Sequence, residues 1–252
     1  MRIAVAGATG RVGRHVVDVL QERGHDVVSI SRSLGVDVIT GEGLDAALAG
    51  VDVIVDATTG PSPDEDAATE FFTTATQNLQ KAGEWAGVQR IVVVSIIGTD
   101  RLAGGYGVAK VAHERAMEAG PIPARILRAA QFHEFVDQLV DWGRQGDVAY
   151  VPRFRTQLVA ARTVAEALAD LATADDAGRA AGPPYPEIAG PREENLVDVA
   201  TLLTSRRGDP VQIVAVSDPD DPNRAVYESG ALLPGPHAIL AGPTFEEWLG
   251  RS

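Results

Sequence analysis

Hydrophobic and polar positions alternate along this chain in short apolar runs separated by helical repeats, beginning with Ile3–Ala6, a four-residue apolar run that reads as a buried strand. Gly7, Gly10 and Gly13 follow it, and then Val12, Val16, Val19 and Leu20 recur on one face of a helix. Val27, Val28 and Ile30 mark a second strand, the run VDVI at 36–39 a third, and VDVIVDA at 51–57 a fourth, with a short helix, LDAALAG, between the last two. From 66 to 87 one long helix is predicted by Ala68, Phe71, Phe72, Ala75, Leu79 and Ala82. Asn78 on that helix reads either as a member of the site or as a polar residue facing water.

QRIVVVSIIG is a fifth strand, buried on both faces, with Ser95 at its end. A glycine-bearing stretch, TDRLAGG, leads into a helix that opens with Tyr106 and Lys110. A sixth strand at 124–128 precedes a helix over 131–145, which carries Phe132, Phe135, Val136, Leu139, Val140 and Trp142. Strands alternating with helices at this interval predict a parallel sheet with right-handed crossovers. The expected fold class is α/β, a Rossmann-like doubly wound parallel sheet.

The remaining third is less periodic. VAYVP, TQLVAA and the helix TVAEALADLAT read as a return to the main domain near 155–175, and DDAGRAAGPPYP as a surface linker. PEIAG, a helix over 195–206, the strand VQIVAV, the acidic loop SDPDDPNR and the closing helix FEEWL follow. The expected division is a nucleotide-binding domain over 1–180 and a smaller, substrate-capping region over 181–252. The capping role rests on fold analogy alone.

Composition narrows the classes. The 252 residues hold no cysteine, which excludes disulfides, thiolate nucleophiles and thiolate metal sites. A net charge of −13 argues against nucleic acid as a partner, because phosphate contacts need clustered cations. No apolar run approaches the ~20 residues that span a bilayer, and no basic–apolar–small leader precedes the first strand. A soluble, cytoplasmic protein acting on a small molecule is expected, with no membrane partner. Oligomeric state is not readable.

The chemistry concentrates at three places. In the turn after the first strand, Gly7 permits a backbone that a Cβ would oppose. Gly10 keeps bulk away from a pyrophosphate, and Gly13 lets the helix pack closely. Thr9, Arg11 and Val12 complete a loop whose N–H groups and helix dipole suit an anion. At the end of the second strand stand Ser31 and Arg32, with no acid to bond the ribose hydroxyls of NAD. Arg32, helped by Arg11, would hold a 2′-phosphate, so NADP(H) is favoured over NAD(H); the alternative is that both arginines are solvated surface charges. Thr58 and Thr59 either line the cofactor cleft or start a turn.

Tyr106 and Lys110, four apart on a helix, share a face. Lys110 would lower the phenol pKa and hold the nicotinamide ribose, and Ser95 would position a carbonyl for proton transfer from Tyr106. His133 and Glu134, just past the sixth strand, either face the substrate or form a hydrogen-bonded or exposed pair, the reading preferred, and no third ligand for a metal stands with them.

GATGRVG, the strand-end Ser95 and the Y-x-x-x-K of YGVAK resemble the short-chain dehydrogenase/reductase superfamily. With NLQKAGEWAGVQRIVVVSIIG and RILRAAQFHEF, the likeness narrows to its atypical, NmrA-like NAD(P)-binding branch, over about the first 170 residues. That resemblance implies NADP(H) binding and a Ser95–Tyr106–Lys110 set reducing a carbonyl, quinone or enone. It also implies an alternative, since the branch includes members that bind cofactor as redox sensors and turn nothing over.

Overall fold

The computed structural model of the chain describes residues 1–175 and 184–251. In chain order the elements are β1 (Arg2–Ala6), α1 (Gly13–Glu22), β2 (Asp26–Ile30), α2 (Leu44–Leu48), β3 (Val53–Asp56), α3 (Glu65–Ala86) and β4 (Arg90–Ile96). Then come α4 (Tyr106–Ala119), β5 (Ala124–Ala129), α5 (Phe135–Gly143), β6 (Arg144–Gln145), β7 (Val148–Pro152), β8 (Arg155–Thr156) and α6 (Ala161–Thr173). The last are β9 (Glu187–Ala189), β10 (Glu194–Asn195), α7 (Leu196–Arg207), β11 (Gln212–Val216), α8 (Arg224–Ser229), β12 (Ile239–Leu240) and α9 (Phe245–Leu249).

Seven strands form one parallel sheet in the order β12-β9-β5-β4-β3-β1-β2. Because strand side chains alternate faces, Ile3, Val5, Val53 and Val55 pack beneath α1 and α6, while Ala4, Ala6, Ile54, Ile91 and Val93 pack against α2, α3 and α4. Burial on both faces is why these strands read as continuous apolar runs. The chain leaves β1 toward β2 and returns to β3 on β1's other side, so the order reverses at β1. In such sheets ligands bind outside the carboxyl ends at the reversal.

Two elements differ from the pattern. Residues 36–39 form no strand. The Asp37 carboxylate accepts the Ile39 N–H at 2.7 Å and closes a turn, a local competition with ladder formation that aspartate favours. Val38 is still buried, so its apolar signal reflects burial and not extension. Asn78, far from facing water, donates to Val38 O at 2.9 Å and Ile39 O at 2.8 Å, and thereby ties this turn to α3. The helix expected from 131 starts at Phe135, because Phe132 bridges Val159 and His133 N–H donates to Val159 O.

A second apolar cluster joins Val136 and Val140 of α5, Ala149 and Val151 of β7, Leu196, Val199 and Leu203 of α7, and Phe245 of α9. It draws on both sides of residue 181, and β9 and β12 belong to the main sheet. The expected linker over 175–186 falls largely on 176–183, outside the described residues.

Candidate active site

The crevice begins at the turn after β1. Gly7 has φ +76°, and a Cβ there would stand 2.6 Å from Ala57 O and 3.0 Å from Thr58 Cα, so the glycine turn lies directly on the chain leaving β3. A Cβ at Gly13 would stand 2.1 Å from Gly7 O. Gly10, exposed with Thr9, donates its N–H to Gly7 O at 2.8 Å. Val12, at the N-cap of α1, gives no side-chain cap to that helix. An uncapped helix start under a turn that excludes side chains fits a phosphate.

Arg11 donates to Gln138 Oε1 of α5 at 3.0 Å. Arg32 is exposed on a single 3-10 turn beyond β2, flanked by Ser31 and Ser33, whose hydroxyls lie 3.0 Å apart. Among the described residues the Arg32 guanidinium makes no hydrogen bond or ion pair, and only its carbonyl is engaged, by the Gly35 N–H.

Beyond β3, the Thr58 N–H donates to Asp56 Oδ1 at 2.9 Å, while the buried Thr58 Oγ1 has no partner. On β4, Ser95 falls on the face of Ile91 and Val93, the side covered by α4; its Oγ is also buried and unpartnered. Unpaired buried hydroxyls are costly. Two of them at the carboxyl edge, beside a cradle a Cβ would fill, fit a bound dinucleotide and substrate.

Tyr106 and Lys110 open α4, whose start is pinned by Gly105 (φ +71°) donating to Glu65 Oε2 at 2.7 Å. The phenol is hydrogen-bonded by Thr59 and meets Phe72 edge-on at 5.7 Å. Burial pushes its pKa up to about 12, opposite to the lowering expected from Lys110. The physical reason is that Lys110 faces inward. Its ammonium donates to Val94 O and to His113 Nδ1, each at 2.9 Å, and lies 4.4 Å from the Phe72 ring centre. Burial, partly opposed by Asp56 and Glu114, brings the Lys110 pKa down to about 8.

Two members of this cluster escaped the sequence reading. Asp56 is fully buried and receives His113 Nε2–H at 3.0 Å; His113 stacks on Phe72 at 4.5 Å. A carboxylate ending an otherwise apolar strand, and a histidine one helical turn past Lys110, were the available signals.

His133 and Glu134 are structural. Glu134 accepts the Ala161 N–H at the start of α6. His133, 1% exposed, bonds Pro243 O at 3.1 Å among Phe245 and Trp248, and burial lowers its pKa from 6.5 to about 4. Between those pH values the unfolded chain takes up a proton that the folded chain refuses. This residue therefore makes stability fall with falling pH, by at most about 1.4 kcal/mol per unit. Urea denaturation across pH 7 to 4 should show a shallower loss for His133→Gln than for the parent; parallel curves would refute the assignment. Among the described residues no three potential metal ligands cluster, and no helix is long and apolar enough to cross a membrane.

Residues 7–175 match the model of the NAD(P)H-binding family. The chain belongs to that family. The match runs from the first glycine of the crevice to the end of α6, so it spans the cradle, Ser95, Tyr106 and Lys110. Among curated relatives of this NAD(P)H-binding chain, the photosystem II assembly factor Ycf39 of Synechocystis is 32% identical over 111 residues, 38% of this chain and 34% of its own length. The 3-beta-hydroxysteroid dehydrogenase of Mycolicibacterium neoaurum is 34% identical over 112 residues, 36% of this chain and 31% of its own. The matched stretch is thus about a third of each curated relative. In fold, the chain superposes on a short-chain dehydrogenase/reductase superfamily protein from Agrobacterium tumefaciens with bound NAD, at TM-score 0.68 and 19% identity, over 100% of this chain and 95% of that one. The Rossmann-like expectation agrees with this superposition.

Proposed function

We propose that this NAD(P)H-binding chain is an NADPH-dependent reductase of a carbonyl, quinone or enone on a small organic molecule, with Tyr106 as proton donor. The observation that carries the reading is the buried, unpartnered Ser95 hydroxyl at the carboxyl edge, on the sheet face covered by the helix that begins with Tyr106. The bound dihydronicotinamide supplies a hydride. Gly7, Thr9, Gly10, Arg11, Val12 and Gly13 provide the pyrophosphate loop, and Thr58 and Thr59 the adjoining wall. Ser95 orients the substrate oxygen, the phenol of Tyr106 hands it a proton, and Lys110 holds the ribose. The second apolar cluster, with the chain past 181, caps the substrate. Turnover of NADPH against a panel of ketones, quinones and enones tests the reading.

Preference for NADP(H) rests on Arg32, exposed and unpaired between two serine hydroxyls. Arg32→Ala should weaken NADPH binding by about tenfold or more, the loss of a charge-assisted pair, and leave NADH binding unchanged in calorimetric titration. Equal losses for both cofactors would retire the 2′-phosphate site.

A second reading is a cofactor-binding sensor or assembly protein without turnover. It is favoured by the inward set of Lys110 and by the assembly factor among the relatives. Cofactor binding with no consumption on any substrate of the panel would select it.

A further inference from the structure

We infer that Asp56 and His113 are positioning residues for Lys110, a buried pair that fixes which imidazole nitrogen receives the ammonium and so ties the lysine to the floor of the crevice. The inference rests on the proposed role of Lys110 toward the cofactor.

The proton inventory leaves one arrangement. An ammonium only donates, so His113 Nδ1, 2.9 Å from Lys110 Nζ, must present its lone pair. The ring proton is then on Nε2, directed at Asp56 Oδ2, 3.0 Å away. The other carboxylate oxygen is occupied by the Thr58 N–H at 2.9 Å. Thr58 lies with Ala57 against the Gly7 turn, its Cα 3.0 Å from the place a Gly7 Cβ would take. One run of hydrogen bonds thus leads from Lys110 through His113 to Asp56, which also accepts from the backbone of the crevice.

The surroundings keep it rigid. Phe72 lies parallel to the imidazole within 15° and covers one of its faces. One cation, one anion and a neutral ring give the buried set no net charge, which makes its burial tolerable. The other charged groups near it are Glu114 on α4 and, beyond it, Arg128 of β5, which pairs with Glu114 at 2.8 Å and with Asp100. Glu114 is thereby committed to Arg128 and leaves the Lys110–His113 contact to Asp56.

Asp56→Asn tests this with almost no change in shape. Its amide oxygen is claimed by the Thr58 N–H, so its NH2 must face His113 Nε2. One donor must then meet another, either the amide against Nε2–H or Nδ1–H against the ammonium, and the run of bonds from Lys110 to Thr58 is broken. Nitrogen-15 NMR of imidazole-labelled protein without cofactor should find His113 neutral and protonated on Nε2 in the parent. NADPH affinity should fall about tenfold in that variant, as expected when an orienting carboxylate is lost.

His113→Asn, whose amide oxygen can stand where Nδ1 stands, should retain most of the affinity, and His113→Leu should lose it. This contrast decides the matter if Asp56→Asn does not fold. A parent protonated on Nδ1, or His113→Asn and His113→Leu binding NADPH alike, would overturn the inference. The tautomer is read without cofactor, so a parent that bound no NADPH would defeat the proposed function and leave the measured orientation of the pair standing.

Discussion

Gly13→Ala is expected to destabilise the protein by about 3 kcal/mol or more and to abolish NADPH binding. The new methyl would stand 2.1 Å from Gly7 O, 2.7 Å from Gly7 C and 3.1 Å from Ala8 Cα, all backbone atoms with no rotamer through which to escape. Relief requires α1 to move off the turn, against the packing of Val16, Val19 and Leu20, each no more than 1% exposed. Overpacking of this kind lies at or beyond the upper end of its usual ~1–3 kcal/mol range. Gly10→Ala makes the comparison sharp. Its Cβ would meet only Gly7 O, at 3.0 Å, in an exposed loop, so it should unfold much nearer the parent. Urea unfolding with parallel cofactor titration checks both; indistinguishable midpoints for Gly13→Ala and Gly10→Ala would contradict the packing argument.

Tyr106→Phe should lower the rate of carbonyl reduction by about 10²–10⁴-fold, the usual contribution of a positioned acid. Phenylalanine keeps the edge contact with Phe72 and removes only the hydroxyl and its bond to Thr59. Stability and NADPH affinity should therefore stay close to those of the parent. Because burial holds the phenol near 12, the acid remains protonated through pH 10, and kcat/KM in the parent should show no alkaline decline from this group below that pH. A variant as fast as the parent on a true substrate would remove Tyr106 from the chemistry.

The parallel sheet was legible because its strands are buried on both faces and announce themselves as unbroken apolar runs. The glycine turn was legible for a related reason: Gly7, Gly10 and Gly13 follow such a run and precede a clean helical stripe. Residues 36–39 misled, since burial of Val38 imitates a strand while Asp37 closes a turn that Asn78 then anchors from 40 residues away. No local pattern encodes that tie. Spacing placed Tyr106 and Lys110 on one helix but could not foretell where the ammonium points, because Asp56, which holds its partner His113, comes from a strand 54 positions before Lys110. Arg11 illustrates the same point: its partner, Gln138, lies 127 residues on.

The far edge of the main sheet is made late. β9 and β12 are the last strands to be synthesised into it, and β12 offers Ile239 and Leu240 half exposed on a two-residue rim. Until the ribosome has released the chain past position 240, β5 and then β9 stand as open borders with unsatisfied amides, the kind of rim that recruits foreign strands. A nascent chain stalled after α6 would thus already own its glycine turn and its tyrosine, yet be ready to aggregate along β5.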